Sequence, residues 1–331
     1  MSVLRIWQAS DLHLGAAGGP EREDRASEAW AEFARAVEEH RPELVVLTGD
    51  LVVDDPDDAD DHRAARALIA ALPVPTLVVP GNHDVGDHAV RRGLPADWHG
   101  KTVTAERVAS WEAFWGPSWW VEQRGGRTII GLNSQIVGSG LDAELRQLAW
   151  LRGISEALIR GCEVIVFLHE ALVPSRRAET EGDGPGTRRG PGTEADGHED
   201  GQARWDDSWM AVPAEAGDVL QSVLREAASL TIASGHTHRA FGAVVDGVRH
   251  VSAPSLAGPI PHRADMEQAV GDEWIGWLEF RLPVDGGASV RQPSVDGAAT
   301  VIVGVEAGAG YVVSASMLGS ASATGLALSG G

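Results

Sequence analysis

Five short segments of the chain carry side chains of the kind that hold divalent metals. They are Asp11-Leu12-His13, Gly49-Asp50, Gly81-Asn82-His83-Asp84, His169 and Gly235-His236-Thr237-His238. Among them, Asp11, Asp50, Asn82, His13, His169, His236 and His238 make a set of hard and borderline donors suited to two ions. Paired ions of this type acidify water and polarise an ester oxygen, so hydrolysis is the chemistry to expect. Asp11 and His13 are one residue apart, as are His236 and His238. At a strand end, residues i and i+2 point the same way, so each pair can reach one metal. Gly49 lets the backbone turn sharply and leaves the Asp50 carboxylate free to bridge.

Elements must bring these segments together, and each segment follows a short apolar run of strand type. Val3–Ala9, Leu44–Thr48, Thr76–Val79, Glu163–Leu168 and Leu230–Ser234 are such runs. Ala26, Ala29, Trp30, Phe33 and Val37 recur at helical spacing. Further helices are expected over about Asp60–Ala71, Glu106–Trp115 and Ala143–Arg160, and around Val219–Leu224. Strands are expected near Trp119–Glu122, Thr128–Leu132 and Trp274–Leu282. Asp246-Gly247 between Phe241–Val245 and Val248–Ser252 marks a hairpin. Alternating strands and helices that become strand-rich fit an α/β sandwich with helices outside two sheets.

The domain is expected to span residues 1–282, followed at 283–331 by a C-terminal β-extension and a low-complexity Gly/Ala/Ser tail. The tail, from about Gly304, reads as a stretch of low order. Residues 174–204 are charged and glycine-rich and read as a flexible insertion, either a lid leaving His169 or a surface loop. Residues 54–61 contain six aspartates in a spacing unlike a calcium hand, and read as a solvated loop.

The chain has 331 residues, 43% of them hydrophobic, enough to bury a large core. Its net charge of −21 repels duplex nucleic acid and anionic membranes at long range and argues against them as partners. A phosphate ester is still attracted locally, because two divalent ions outweigh Asp11, Asp50 and a shared hydroxide. Cys162 is the one cysteine, so no intrachain disulfide forms, and it reads as a buried structural thiol. The sequence opens without a targeting signal or a membrane-spanning run, and a cytoplasmic location is expected. Twelve tryptophans stand against one tyrosine; Trp111, Trp115, Trp119 and Trp120 are read as core packing rather than ligand stacking.

The ordered set Asp-x-His, Gly-Asp, Gly-Asn-His-Asp, His and Gly-His-x-His resembles the calcineurin-like metallophosphoesterases over about residues 3–255. The resemblance implies an αββα fold, two mixed sheets flanked by helices. It implies a first metal (Mn, Fe or Zn) held by Asp11, His13, Asp50 and His238, and a second held by Asp50, Asn82, His169 and His236. A metal-bridging hydroxide would attack the phosphate ester. His83 would face the substrate phosphate and protonate the leaving oxygen or stabilise the transition state. Asp84 would orient His83, or instead cap the following turn. The remaining histidines, His40, His62, His88, His99, His198, His250 and His262, are read as structural.

Subfamily patterns narrow the substrate. The phosphoprotein phosphatases of this superfamily carry Arg-Gly-Asn-His-Glu and an Asp-Arg after Gly-Asp. This chain has Pro80-Gly81-Asn82-His83-Asp84 and Gly49-Asp50-Leu51-Val52. Bacterial cyclic-nucleotide phosphodiesterases pair histidines at the fourth motif, where this chain has His169-Glu170. The stretches Gly81–Gly86, Phe114–Trp120 and Leu132–Gln135 resemble a eukaryotic branch with protein phosphatase activity. Asn133, Gln135 and Arg239 are read as packing, capping or surface residues before site residues. The favoured reading is a phosphomonoesterase acting on a phosphorylated small molecule or phosphoprotein. The alternatives are a cyclic-nucleotide or other phosphodiesterase, and a non-catalytic binding module, which should have lost ligands that this chain keeps.

Overall fold

The computed structural model describes residues 2–15, 20–53, 55–88, 101–172, 211–212, 214–258, 275–284, 300–304 and 312–317. In the first sheet β1 (Val3–Ala9), β2 (Leu44–Thr48) and β3 (Thr76–Val79) run parallel. In the second, β4 (Trp120–Arg124) pairs antiparallel with β5 (Arg127–Gly131), and β6 (Glu163–Phe167) joins β5 in parallel. A short parallel pair, β7 (Ala171–Leu172) and β8 (Ala211–Val212), stands apart. Then β9 (Ser229–Ser234), β10 (Phe241–Val245) and β11 (Val248–Ser252) complete the second sheet, in the order β10-β11-β9-β6-β5-β4. Asp246 and Gly247 both have positive φ, as a two-residue hairpin turn requires. Finally β12 (Gly276–Pro283), β13 (Thr300–Gly304) and β14 (Val312–Met317) extend the first sheet, in the order β13-β14-β12-β1-β2-β3.

Alternation along the strands sorts the side chains into layers. Leu4, Ile6, Leu44, Val46, Leu278 and Phe280 of the first sheet pack with Ile129, Ile165, Phe167 and Ala233 of the second. Trp7, Ala9, Val45 and Leu47 face the other way, under α1 (Pro20–His40), α2 (Ala59–Ala70) and α4 (Ala105–Trp115). Val164, Val166 and Ile130 lie under α5 (Asp142–Ile154) and α6 (Ala214–Leu224). The expected helix–sheet–sheet–helix order is therefore the observed one. The remaining helix, α3 (Asn82–Val85), is a single turn.

Several expectations are corrected in detail. The helix expected over Ala143–Arg160 ends at Ile154 and continues as a π-turn over Ser155–Ile159, where the Ser155 hydroxyl donates to Glu226 at 2.6 Å. The tail read as low in order from Gly304 contributes β14, whose backbone pairs with Gly276–Arg281. Cys162 is half-buried rather than buried. The insertion at 174–204 lies outside the described residues, as do His99, His198 and His262. In the aspartate-rich loop Asp58 caps α2, accepting from the Asp60 and Asp61 amides, and Asp57 pairs with Arg107. Trp111 is buried and stacks on Trp115 at 5.4 Å, as a packing role requires.

No helix among the described residues is long and apolar enough to cross a membrane.

Candidate metal centre

The carboxyl ends of the parallel strands of both sheets meet along one rim, where an α/β fold ordinarily builds its site. Gln8 joins the two sheets there, donating through Nε2 to Thr48 Oγ1 at 3.0 Å and to the Ser234 carbonyl at 2.8 Å. The loops after β1, β2, β3, β6 and β9 carry the predicted donors, and the structure brings all of these segments together.

The local geometry differs from the strand-end picture. Asp11, His13, Asp50, His236 and His238 lie past the ends of their strands and all have positive φ, between 46° and 65°. Left-handed backbone at a residue other than glycine costs about 1 kcal/mol or more, and clusters of it mark sites where the fold over-determines the conformation. Alternation of these residues with ordinary ones, not strand pleat, aims Asp11 with His13 and His236 with His238 into one space. Neighbouring glycines make room. A Cβ on Gly81 would lie 2.2 Å from Asp50 Oδ1, one on Gly235 would lie 1.7 Å from Ser10 Oγ and 2.8 Å from Asp11 Oδ2, and one on Gly49 would lie 2.7 Å from His169 Nδ1.

Three groups of potential ligand atoms form, each within 4.8 Å: Asp11, His13 and His238; Asp50, His169 and His236; and His13, Asp50 and His83. Asp50 Oδ2 stands between the first two, 3.8 Å from His13 Nε2 and 3.4 Å from His169 Nε2. Asn82 Oδ1 lies 2.9 Å from His169 Nε2. His83 donates its backbone N–H to Asp50 Oδ1 at 2.9 Å, and its ring stands edge-on to His13. Its side chain is 12% exposed against 2% for His13 and Asp50, so it sits on the open side of the cluster.

Hydrogen bonding tests whether these residues fit a metal. His169 Nδ1 faces the Thr48 carbonyl at 2.8 Å, and His238 Nδ1 faces the Gly258 carbonyl at 2.6 Å. Carbonyls only accept, so in the neutral rings the proton is assigned to Nδ1 and Nε2 keeps its lone pair. The Nε2 of His169 then faces the acceptors Asn82 Oδ1 and Asp50 Oδ2, and the Nε2 of His238 faces Asp11 Oδ1 at 3.3 Å. Asp11 Oδ1 is buried without a hydrogen-bond donor among the described residues. Acceptors converging on acceptors repel unless a cation lies among them, so the donor set fits metal ions.

The titration directions agree. Burial disfavours charge on Asp11 and Asp50, yet His238 pulls Asp11 down to about 2, and His169 and His83 hold Asp50 well below the ordinary carboxylate range. Burial lowers His169, but Asp50 overrides it and raises the ring to about 10, so in the metal-free protein a proton supplies the missing positive charge. His13, buried beside His83, is held well below its ordinary value.

Asp84 is buried. Its Oδ1 accepts from the Leu51 and Val52 amides at 2.9 and 3.3 Å, and its Oδ2 accepts from the Gly81 amide at 2.8 Å. Both oxygens are thus engaged by backbone, which favours the capping alternative over orientation of His83. Burial and the neighbouring Asp50 push its pKa up to about 7. Asn133 and Gln135 form a local turn, Asn133 Oδ1 accepting from the Gln135 amide at 3.0 Å. Two residues beside the centre had other readings in the sequence: Glu170 as a departure from a histidine pair, and His88 as structural. The signal available was a carboxylate directly after His169 at the end of a buried strand.

The model of the calcineurin-like phosphoesterase family matches residues 4–240. No curated protein matches the sequence. Among solved structures, GAP50, the anchor in the inner membrane complex of Plasmodium, is similar at 11% identity and a TM-score of 0.50, covering 85% of this chain and 82% of that one. A dimetal phosphatase from Danio rerio gives 11% identity and a TM-score of 0.48 over 84% and 95% of the two chains. The purple acid phosphatase PPD1 of yellow lupin (Lupinus luteus) seeds gives 14% and 0.49 over 85% and 49%. At these identities the likeness to GAP50 speaks for a shared fold alone.

Proposed function

The chain belongs to the calcineurin-like phosphoesterase family and is a metal-dependent phosphoester hydrolase, and from that premise we propose that it is a phosphomonoesterase with a binuclear centre. Asp11, His13, Asp50 and His238 hold one ion in this reading, and Asp50, Asn82, His169 and His236 the other. The observation that carries the assignment is the convergence of buried carboxylate, amide and imidazole donors in groups that meet at Asp50. The mixture of carboxylate, amide and imidazole donors suits Mn, Fe or Zn.

When bound, such ions lower the pKa of a water and polarise the phosphoryl oxygens. The chain's own residues do the rest. Asp50 spans the two halves of the site and is held there by the His83 amide. The carbonyls of Thr48 and Gly258 keep the His169 and His238 rings in the tautomer that offers Nε2. His83, on the open side, carries a ring that can donate to the leaving oxygen of the ester or to the transition state, a contribution of roughly 10²–10⁴-fold. Asp84 is a positioning residue that ties the turn after β3 to the segment after Asp50.

Two divalent ions against two carboxylates leave the site net positive. A monoester dianion gains more from that field than a diester monoanion, which supports the monoesterase reading. Turnover of p-nitrophenyl phosphate and of bis(p-nitrophenyl) phosphate by the Mn-loaded chain tests it. Faster cleavage of the monoester is expected. Preference for the diester would replace this reading with a phosphodiesterase.

A further inference from the structure

Glu170 directly follows His169 and is wholly buried. Its Oε1 accepts from Gln135 Nε2 at 3.1 Å, its Oε2 lies 3.1 Å from His88 Nε2, and its own amide donates to Ser134 Oγ at 3.1 Å. His88 is equally buried, and its Nδ1 faces the Val137 carbonyl at 3.1 Å. A carbonyl only accepts, so His88 carries a proton on Nδ1 and meets Glu170 through Nε2. His88 Nε2 and Glu170 Oε2 thus form a wholly buried polar pair. Burying such a pair is costly, and packing alone would be served better by apolar side chains.

The position of His236 supplies a reason for it. Its Nδ1 lies 3.0 Å from His169 Nε2, inside the donor cluster, while its Nε2 lies 4.0 Å from Glu170 Oε1. One ring nitrogen thus faces the cluster and the other faces a buried carboxylate oxygen. Metal-binding histidines commonly have their second nitrogen set by such a carboxylate. At 4.0 Å the contact is electrostatic rather than a hydrogen bond, and Gln135 and His88 clamp the carboxylate so that it does not turn away.

We propose that Glu170 is a positioning residue for the His169–His236 half of the centre: it favours the proton of His236 on Nε2, leaving Nδ1 as the lone pair that faces the cluster. The inference rests on the binuclear reading above. It makes His88 and Gln135 supports of the metal site that act through the Glu170 carboxylate.

The test is Mn²⁺ binding by the full chain, measured by equilibrium dialysis with elemental analysis and by electron paramagnetic resonance of the bound Mn²⁺. The parent is expected to bind two ions with an exchange-coupled signal. Glu170→Gln keeps the shape and is expected to weaken one of the two sites about 10–100-fold, shifting the signal to that of isolated Mn²⁺, with the metal-free Tm close to the parent's. His88→Gln, which loosens the same carboxylate from its other side, is expected to show a smaller loss at the same site, and it carries the test if Glu170→Gln does not fold. Parent-like affinity at both sites in a folded variant, with only the metal-free Tm lowered, would overturn the inference and leave the binuclear centre standing. A parent that binds fewer than two ions would overturn the binuclear reading and this inference with it.

Discussion

His169 Nδ1 donates to the Thr48 carbonyl at 2.8 Å, across the gap between the two sheets. His169 follows β6 of the second sheet and Thr48 ends β2 of the first, two residues before Asp50. This bond orients a ring in the donor cluster and ties together two of the strand ends that build the centre. Its consequences can be measured.

Asp50→Asn removes the charge that stands between the two ligand groups. Bound metal is expected to fall below two ions per chain. Activity is expected to fall by more than the roughly 10–100-fold that loss of an outer partner costs. Elemental analysis with a p-nitrophenyl phosphate assay reads both, and full metal content with full activity would refute the bridging role.

His83→Ala separates chemistry from binding. Because the ring lies on the open side of the cluster, metal content is expected to stay at the parent level while kcat falls by roughly 10²–10⁴-fold. Loss of an ion in this variant would instead make His83 a ligand, as its proximity to His13 and Asp50 allows.

Gly235→Ala forces a Cβ into Ser10 and toward Asp11. The expected cost is about 1–3 kcal/mol of stability together with weakened metal binding. Gly153→Ala, in α5, meets nothing within 4 Å and is expected to stabilise by about 0.4–1 kcal/mol. Urea titration of both variants checks the contrast; equal effects would show that room beside Asp11 is not what selects glycine at 235.

Removing metal with a chelator leaves buried acceptors facing one another, so Tm is expected to fall. Returning Mn²⁺ should restore it in a concentration-dependent way, since a ligand that binds only the folded state stabilises by mass action. A Tm indifferent to Mn²⁺ would count against the centre.

His250, buried on β11, is pushed down to about 4, by burial first and then by Arg225. Unfolded, it titrates near its ordinary value of about 6.5. The unfolded chain therefore takes up a proton that the folded chain refuses. Stability is full above about 6.5 and is lost as pH falls toward about 4. In the metal-free protein, His250→Gln is expected to lose less stability than the parent between pH 7 and 4.5, read from urea midpoints. Parallel losses would show that His250 does not contribute to acid sensitivity.

The layers and donors were legible because their signals are local. Leu4 and Ile6 against Trp7 and Ala9 declare the two faces of β1, and Asp246-Gly247 declares its hairpin. The place of β14 within the expected C-terminal β-extension was not legible: Val312–Met317 is a short run in a Gly/Ala/Ser-rich stretch, and its strand is defined by pairing with β12 and β13. The relation of Glu170 and His88 to the centre was not legible for a related reason. They are far apart in sequence, and only the meeting of Glu170, His88 and His236 distinguishes them from any other buried Glu and His.

The sequence by itself determined which side chains are available to the centre, their order along the chain, and the alternating strands that carry them to a common rim. Those properties depend on residue type and spacing, which are one-dimensional. Tertiary structure alone decided how the donors are aimed: the left-handed backbone at Asp11, His13, Asp50, His236 and His238, the carbonyls that set the tautomers of His169 and His238, and the buried carboxylate behind His236. Each of these requires atoms from different strands to meet, and a strained local conformation persists only where such contacts hold it.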